Sequence, residues 1–187
     1  MIPGMVLCVA MLAIVGRIWY LTITAQRLCD CDWNELFKKL EAVPKLAVAQ
    51  AGDEYLNPPA NQIATEPIDI WLGLGGMEGI QRMRRNARIL VALAAYAERW
   101  NFTESVIVRE RMRRDALQLR RAIFQITVRR LLHVGQPRVP FHLHESVAAY
   151  HLMTKRLLIL YQNSHAGLYP RLVQVLGDGS AIAAHAV

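Results

Sequence analysis

Residues 77–134 read MEGIQRMRRNARILVALAAYAERWNFTESVIVRERMRRDALQLRRAIFQITVRRLLHV, and this stretch decides the fold class. Met77, Ile80, Met83, Ala87, Leu90, Val91 and Ala94 recur mostly three or four apart, the spacing that lines one face of an α-helix. That spacing predicts a first long helix over 77–100. Asn101 followed three residues later by Glu104 has the pattern of a capping box, which satisfies the orphaned amides of a helix start. A second helix is therefore expected to begin afresh at Phe102 and to end near Val134, stopped by Gly135 and Pro137. Its apolar residues fall in two adjoining stripes, Val108, Met112, Leu119, Ile123 and Ile126, and beside them Leu117, Phe124, Val128 and Leu131. That width predicts contacts to more than one neighbour. No strand alternation is visible, so the expected class is all-α: a small helical bundle around a long antiparallel helical hairpin.

Within the hairpin one phrase occurs twice. Arg82-Met83-Arg84-Arg85-Asn86-Ala87 returns 29 residues later as Arg111-Met112-Arg113-Arg114-Asp115-Ala116. If the chain folds back at Asn101, the two copies lie about 6 Å apart along the helix axis, against about 44 Å on one straight helix. Residues 77–134 hold 13 Arg against 5 acidic side chains, Glu78, Glu98, Glu104, Glu110 and Asp115. Like charge at that density repels unless it faces water or an anionic partner. Met83 and Met112 are expected to point inward, with the neighbouring guanidiniums turned out at about 100° per residue. The candidate anion- or partner-binding residues are Arg82, Arg84, Arg85, Arg111, Arg113 and Arg114. The competing reading is a solvated basic face, neutralised in part by Glu110 beside Arg113 or Arg114.

Across all 187 residues the net charge is +7, from 22 basic and 15 acidic side chains, and 18 of the basic ones are Arg. Guanidinium binds phosphate and carboxylate through a planar fork, whereas ammonium is a point charge. Apolar residues make up 53%, above the roughly 45–50% of ordinary domains. The surplus concentrates in residues 5–25, MVLCVAMLAIVGRIWYLTITA, interrupted only by Arg17. A bilayer core needs about 20 mostly apolar residues, and 2–20 supply them. Arg17 sits late enough to snorkel, and Trp19 and Tyr20 suit the headgroup level. A cleaved signal peptide would carry positive charge before the run and small residues after it. Here Ile18-Trp19-Tyr20-Leu21 follow instead. A single transmembrane anchor over 1–27 is expected, and the basic flank (Arg17, Arg27, Lys38, Lys39) orients it N-out. The domain then lies on the cytoplasmic side of the plasma (inner) membrane. Three cysteines, Cys8, Cys29 and Cys31, are too few and too clustered for a disulfide framework.

Residues 28–51 read as short juxtamembrane helices. Asp32 with Glu35 would cap one over 33–43, and Pro44 would open another through 51. Residues 52–76 read as a linker punctuated by Gly52, Asn57-Pro58-Pro59, Glu66-Pro67 and Gly73, Gly75 and Gly76. The Arg-rich helical domain spans 77–176. Its third helix is expected over 145–163, with Val147, Tyr150, His151, Thr154, Leu157, Leu158 and Tyr161 on one face. Residues 177–187 form a flexible tail.

Chemical motifs are weak. Gly73-Leu74-Gly75-Gly76-Met77-Glu78 would need glycine at 78 to make a dinucleotide fingerprint, and no βαβ context precedes it. His142, His144 and Glu145 with His151 suggest metal ligands, but a zincin would need histidine where Ala148 stands. Cys29-Asp30-Cys31 is spaced more tightly than usual zinc ligands. No metal or other cofactor is expected, and carboxylates for acid–base work are sparse after Asp115. The expected function is therefore a membrane-tethered, non-enzymatic helical interaction module that docks lipid headgroups or an acidic partner protein through a basic face. One alternative is a membrane-associated nucleic-acid-binding protein, although the motif lacks interleaved aromatics. Another is a metal-dependent enzyme using the His142, His144 and His151 region.

Overall fold

A computed structural model describes residues 31–58, 65–131 and 140–176, together with Met11, Gly16 and Leu28. The described segments carry helices α1 (Trp33–Lys38), α2 (Lys45–Leu56), α3 (Pro67–Gly73), α4 (Gly76–Ala97), α5 (Phe102–Leu131), α6 (Pro140–Ser164) and α7 (Tyr169–Leu176). Among the described residues there is no strand. The all-α class expected from periodicity is the observed one.

The α4–α5 pair folds back on itself at the turn the capping signal marks. Asn101 Oδ1 accepts from the Glu104 amide at 3.3 Å, and Asn101 Nδ2 donates to Glu104 Oε2 at 2.8 Å. The two side chains hold each other and the first turn together, a variant of the expected box. Arg109 Nη1 lies 2.8 Å from Glu98 Oε1 across the turn. Further along, Arg120 feels the charges of Arg88 and Arg84, so the two helices run antiparallel. Met83 and Met112 are both fully buried, as their place in the stripes requires.

Helix α6 is the hub. It packs against α2, α3, α4, α5 and α7, which explains why its burial exceeds the single face expected. Leu143, Val147, Ala148, Ala149, Tyr150 and Met153 are buried on all sides of its first half. A helix apolar all round belongs in the middle of a bundle. It also starts at Pro140, five residues before the expected start, because proline at the first helical position has its φ preset and lacks only an amide that would be orphaned anyway.

Several expectations fail on the N-terminal side. Asp32 makes no side-chain cap, and α1 ends at Lys38 rather than near Val43; Asp32 Oδ1 instead accepts from the Tyr96 hydroxyl at 3.2 Å. The supposed linker over 52–76 carries the end of α2 and all of α3. Gly52 is a contact glycine inside α2, not a breaker. A Cβ there would stand 2.7 Å from Cβ and Cγ of His151, so its absence lets α2 lie close on α6. Gly75 and Gly76 take left-handed φ values of 77° and 68° at the α3–α4 corner, a conformation cheap only for glycine. Gly79 completes the corner, since a Cβ would collide with the Leu74 carbonyl. The glycine cluster is a sharp helix–helix corner.

Among the described residues, no helix is long and apolar enough to cross a membrane. The expected anchor over 1–27, Met11 and Gly16 apart, lies outside the described residues, as does the expected tail over 177–187.

Candidate anion-docking surface

The repeated phrase places its residues by the same rule in both helices. Three positions after each inward methionine comes a buried polar side chain, Asn86 in α4 and Asp115 in α5, and both reach α6. Asn86 Nδ2 donates to the Tyr150 hydroxyl at 3.1 Å, and Asp115 is ion-paired with Arg156. Burial holds the Asp115 carboxyl above its usual range, against the opposing pull of Arg156. Part of the repeat is thus a packing rule.

Its six arginines do not all behave alike. In α4, Arg82 pairs with Glu78 at 2.5 Å, one turn back. Arg85 forks onto Glu41 in the α1–α2 connection, Nε to Oε1 at 2.5 Å and Nη2 to Oε2 at 2.6 Å. That guanidinium holds the Glu41 carboxyl below the usual carboxylate range. Arg84, about 100° round the helix from Arg85, lies instead toward Arg120 on α5. In α5, Arg113 and Arg114 share Glu110 at 4.0 and 3.6 Å and remain largely exposed. Arg111 is exposed on the same helix. The α4 arginines therefore divide between two sides, while those of α5 fan over its outer surface.

Helix α5 does contact two neighbours, α4 and α6, yet part of its second apolar stripe faces solvent. Leu117 is 51% exposed and Phe124 68% exposed, and Ile107, two turns before Arg114, is 52% exposed. Arg121 is exposed beside them. Arg114, Leu117, Arg121 and Phe124 are spaced three, four and three apart, so they form one line along the outside of α5. The recurrence was visible in the sequence, but an apolar stripe looks the same whether a neighbour covers it or not.

The histidines do not converge. His142 Nδ1 faces Glu145 Oε2 at 3.5 Å. His144 Nε2 meets the Thr65 carbonyl at 3.2 Å and its ring stacks on Tyr55. His151 Nε2 meets Asp53 Oδ1 at 3.1 Å. Among the described residues no three His, Cys, Asp or Glu side chains are grouped as metal ligands. Cys31 Sγ takes a contact from Lys39 Nζ at 3.4 Å, and Cys29 lies outside the described residues.

Fold and surface together define an all-α bundle with an arginine-rich, partly apolar outer helix. No protein family, curated protein or solved structure matches the chain.

Proposed function

We propose that the chain is a membrane-tethered, non-enzymatic interaction module that lays the outer face of α5 on anionic lipid headgroups. One observation carries this reading: Arg114, Leu117, Arg121 and Phe124 alternate along one solvent-facing line. Basic residues near an anionic bilayer each contribute about 1 kcal/mol. Burying a large side chain such as Phe124 adds about 1.5–3 kcal/mol when complete. Headgroups over acyl chains reward both chemistries at one depth. An acidic protein surface would reward the arginines alone. The apolar run over 2–20 supplies the tether and keeps the domain beside a bilayer.

Chemical footprinting tests the reading on the full chain, reconstituted in phosphatidylcholine vesicles with or without phosphatidylglycerol. Phenylglyoxal modification of Arg114 and Arg121 should fall several-fold when the anionic lipid is present and recover in high salt. Arg171, exposed on α7, should stay reactive throughout. Equal modification of Arg114 and Arg121 in both membranes contradicts the docking. Protection by single-stranded RNA but not by lipid moves the reading to nucleic acid.

A further inference from the structure

We propose that the turn joining α4 to α5, from Trp100 to Phe102, is a second contact with the bilayer, seating aromatic side chains at the headgroup level without any need of anionic lipid. It rests on the tether proposed above, but not on the docking of α5. Trp100 is 42% exposed and Phe102 70% exposed. Two exposed aromatic residues mean little by themselves. Their place relative to the point where the chain enters the domain gives them meaning.

Two contacts fix that point. Asp32 Oδ1 accepts from the Tyr96 hydroxyl at 3.2 Å, and further along the chain the Glu41 amide donates to Asn86 Oδ1 at 2.9 Å. From Tyr96 back to Asn86 is about 15 Å along α4, so residues 32–41 run beside α4 and away from its turn. The chain therefore comes in at the turn end. Leu28 already packs on the core, and the apolar run closes at Tyr20. The residues between those two span at most about 29 Å fully extended, well short of the roughly 45 Å length of α5. A tether that short keeps the turn, rather than the far end of α5, next to the bilayer.

The turn also has the chemistry of a membrane interface. The Trp100 ring is braced from within by Tyr96, His165 and Tyr161, at centroid distances of 5.3, 4.6 and 6.3 Å. An indole joins an apolar body to one polar N–H, which favours the headgroup level. Phe102 adds a wholly apolar ring. Arg99 is exposed, with its guanidinium 4.1 Å from the centre of the Tyr96 ring, and a guanidinium suits headgroup phosphate. The neighbouring carboxylates are engaged, Glu98 by Arg109 and Glu104 by Asn101 and Asn163. An acidic protein surface would reward Arg99 but not Phe102. Because the aromatic rings need no negative charge, this contact is separable from the arginine line of α5.

The test places a nitroxide on Thr103→Cys, an exposed position that leaves both aromatic residues intact. The full chain, with Cys8, Cys29 and Cys31 replaced by Ser, is reconstituted into vesicles of phosphatidylcholine alone. Glu78→Cys, exposed in the first turn of α4, is the reference at the opposite end of the hairpin. Collisions with oxygen should exceed those with a water-soluble nickel complex several-fold at 103, and the ratio should reverse at 78. Adding phosphatidylglycerol should leave the ratio at 103 as it was. Phe102→Ser, a change at a largely exposed side chain, should open the label at 103 to nickel several-fold. A label at 103 open to nickel in both membranes, in a chain that resists alkaline carbonate, overturns the turn contact; docking of α5 on phosphatidylglycerol can still succeed in that event. Shielding at 103 that requires phosphatidylglycerol assigns the burial to the arginine line and equally overturns the turn contact. Spin–spin broadening between labels at 103 puts a second copy of the chain on the turn, with the same consequence. Release of the chain by carbonate removes the tether, and the turn contact falls together with the tethered reading.

Discussion

Asn86 is a polar residue on the buried face of α4, and its neighbours explain why it is there. Its Nδ2 donates to the Glu41 carbonyl at 2.7 Å, its Oδ1 accepts from the Glu41 amide at 2.9 Å, and Tyr150 takes a third bond. The amide thus closes the α1–α2 connection onto α4 and α6 at one point. Burial pushes the Tyr150 hydroxyl up to about 12, so it stays a neutral partner at ordinary pH. Truncating Asn86 would orphan the Glu41 amide and carbonyl together. Asn86→Ala should therefore cost about 3 kcal/mol in urea unfolding, and a loss below about 1 kcal/mol would contradict the clamp. At this scale the sequence was half legible. Met83 and Met112 declare themselves by spacing, but the partners of Asn86 lie 45 and 64 residues away, and no local pattern encodes them.

At the scale of elements, legibility follows length. Helices α4 and α5 run for 22 and 30 residues and were placed closely by periodicity and caps. The eight residues of α7 are too few to show a period, and the helix went unseen. The end of α2 beyond residue 51 and all of α3 were obscured by glycines and prolines that read as breakers, whereas Gly52 is there so that α2 can touch α6. That interface also carries a charge latch. Asp53 on α2 accepts from Lys155 at 2.6 Å and meets His151 on α6. The Lys155 bond foremost holds the Asp53 carboxyl below its ordinary 3.8. A carboxyl depressed in the folded state stabilises above its unfolded value, and the benefit fades as pH falls through the lower folded value. Asp53→Asn should cost about 0.5–1 kcal/mol at pH 7, because the group is half exposed and solvent screens it. Urea midpoints of parent and variant should converge below pH 3.8; a gap that widens in acid would contradict the latch.

Over the whole molecule, charge and packing divide the surface in two. Carboxylates engage Arg82, Arg85, Arg109 and Arg156, while the outer side of α5 keeps Arg111, Arg121 and Arg114, the last largely exposed although it shares Glu110, facing water beside Leu117 and Phe124. The net charge of +7 was plain from composition. Its sorting was not, because which arginine meets a carboxylate depends on how α4, α5 and α6 are arranged. The proposed docking sets this outer line at the headgroup level of an anionic bilayer. The most direct measurement places a nitroxide on Phe124→Cys, with Cys8, Cys29 and Cys31 replaced by Ser, in the full chain reconstituted into vesicles. Collision rates with oxygen and with a water-soluble nickel complex then report the depth of that side chain. With phosphatidylglycerol present, oxygen collisions should rise and nickel collisions fall. Phosphatidylcholine alone, or Arg114→Gln with Arg121→Gln, should leave the label in water. A label equally open to nickel in both membranes would contradict the account.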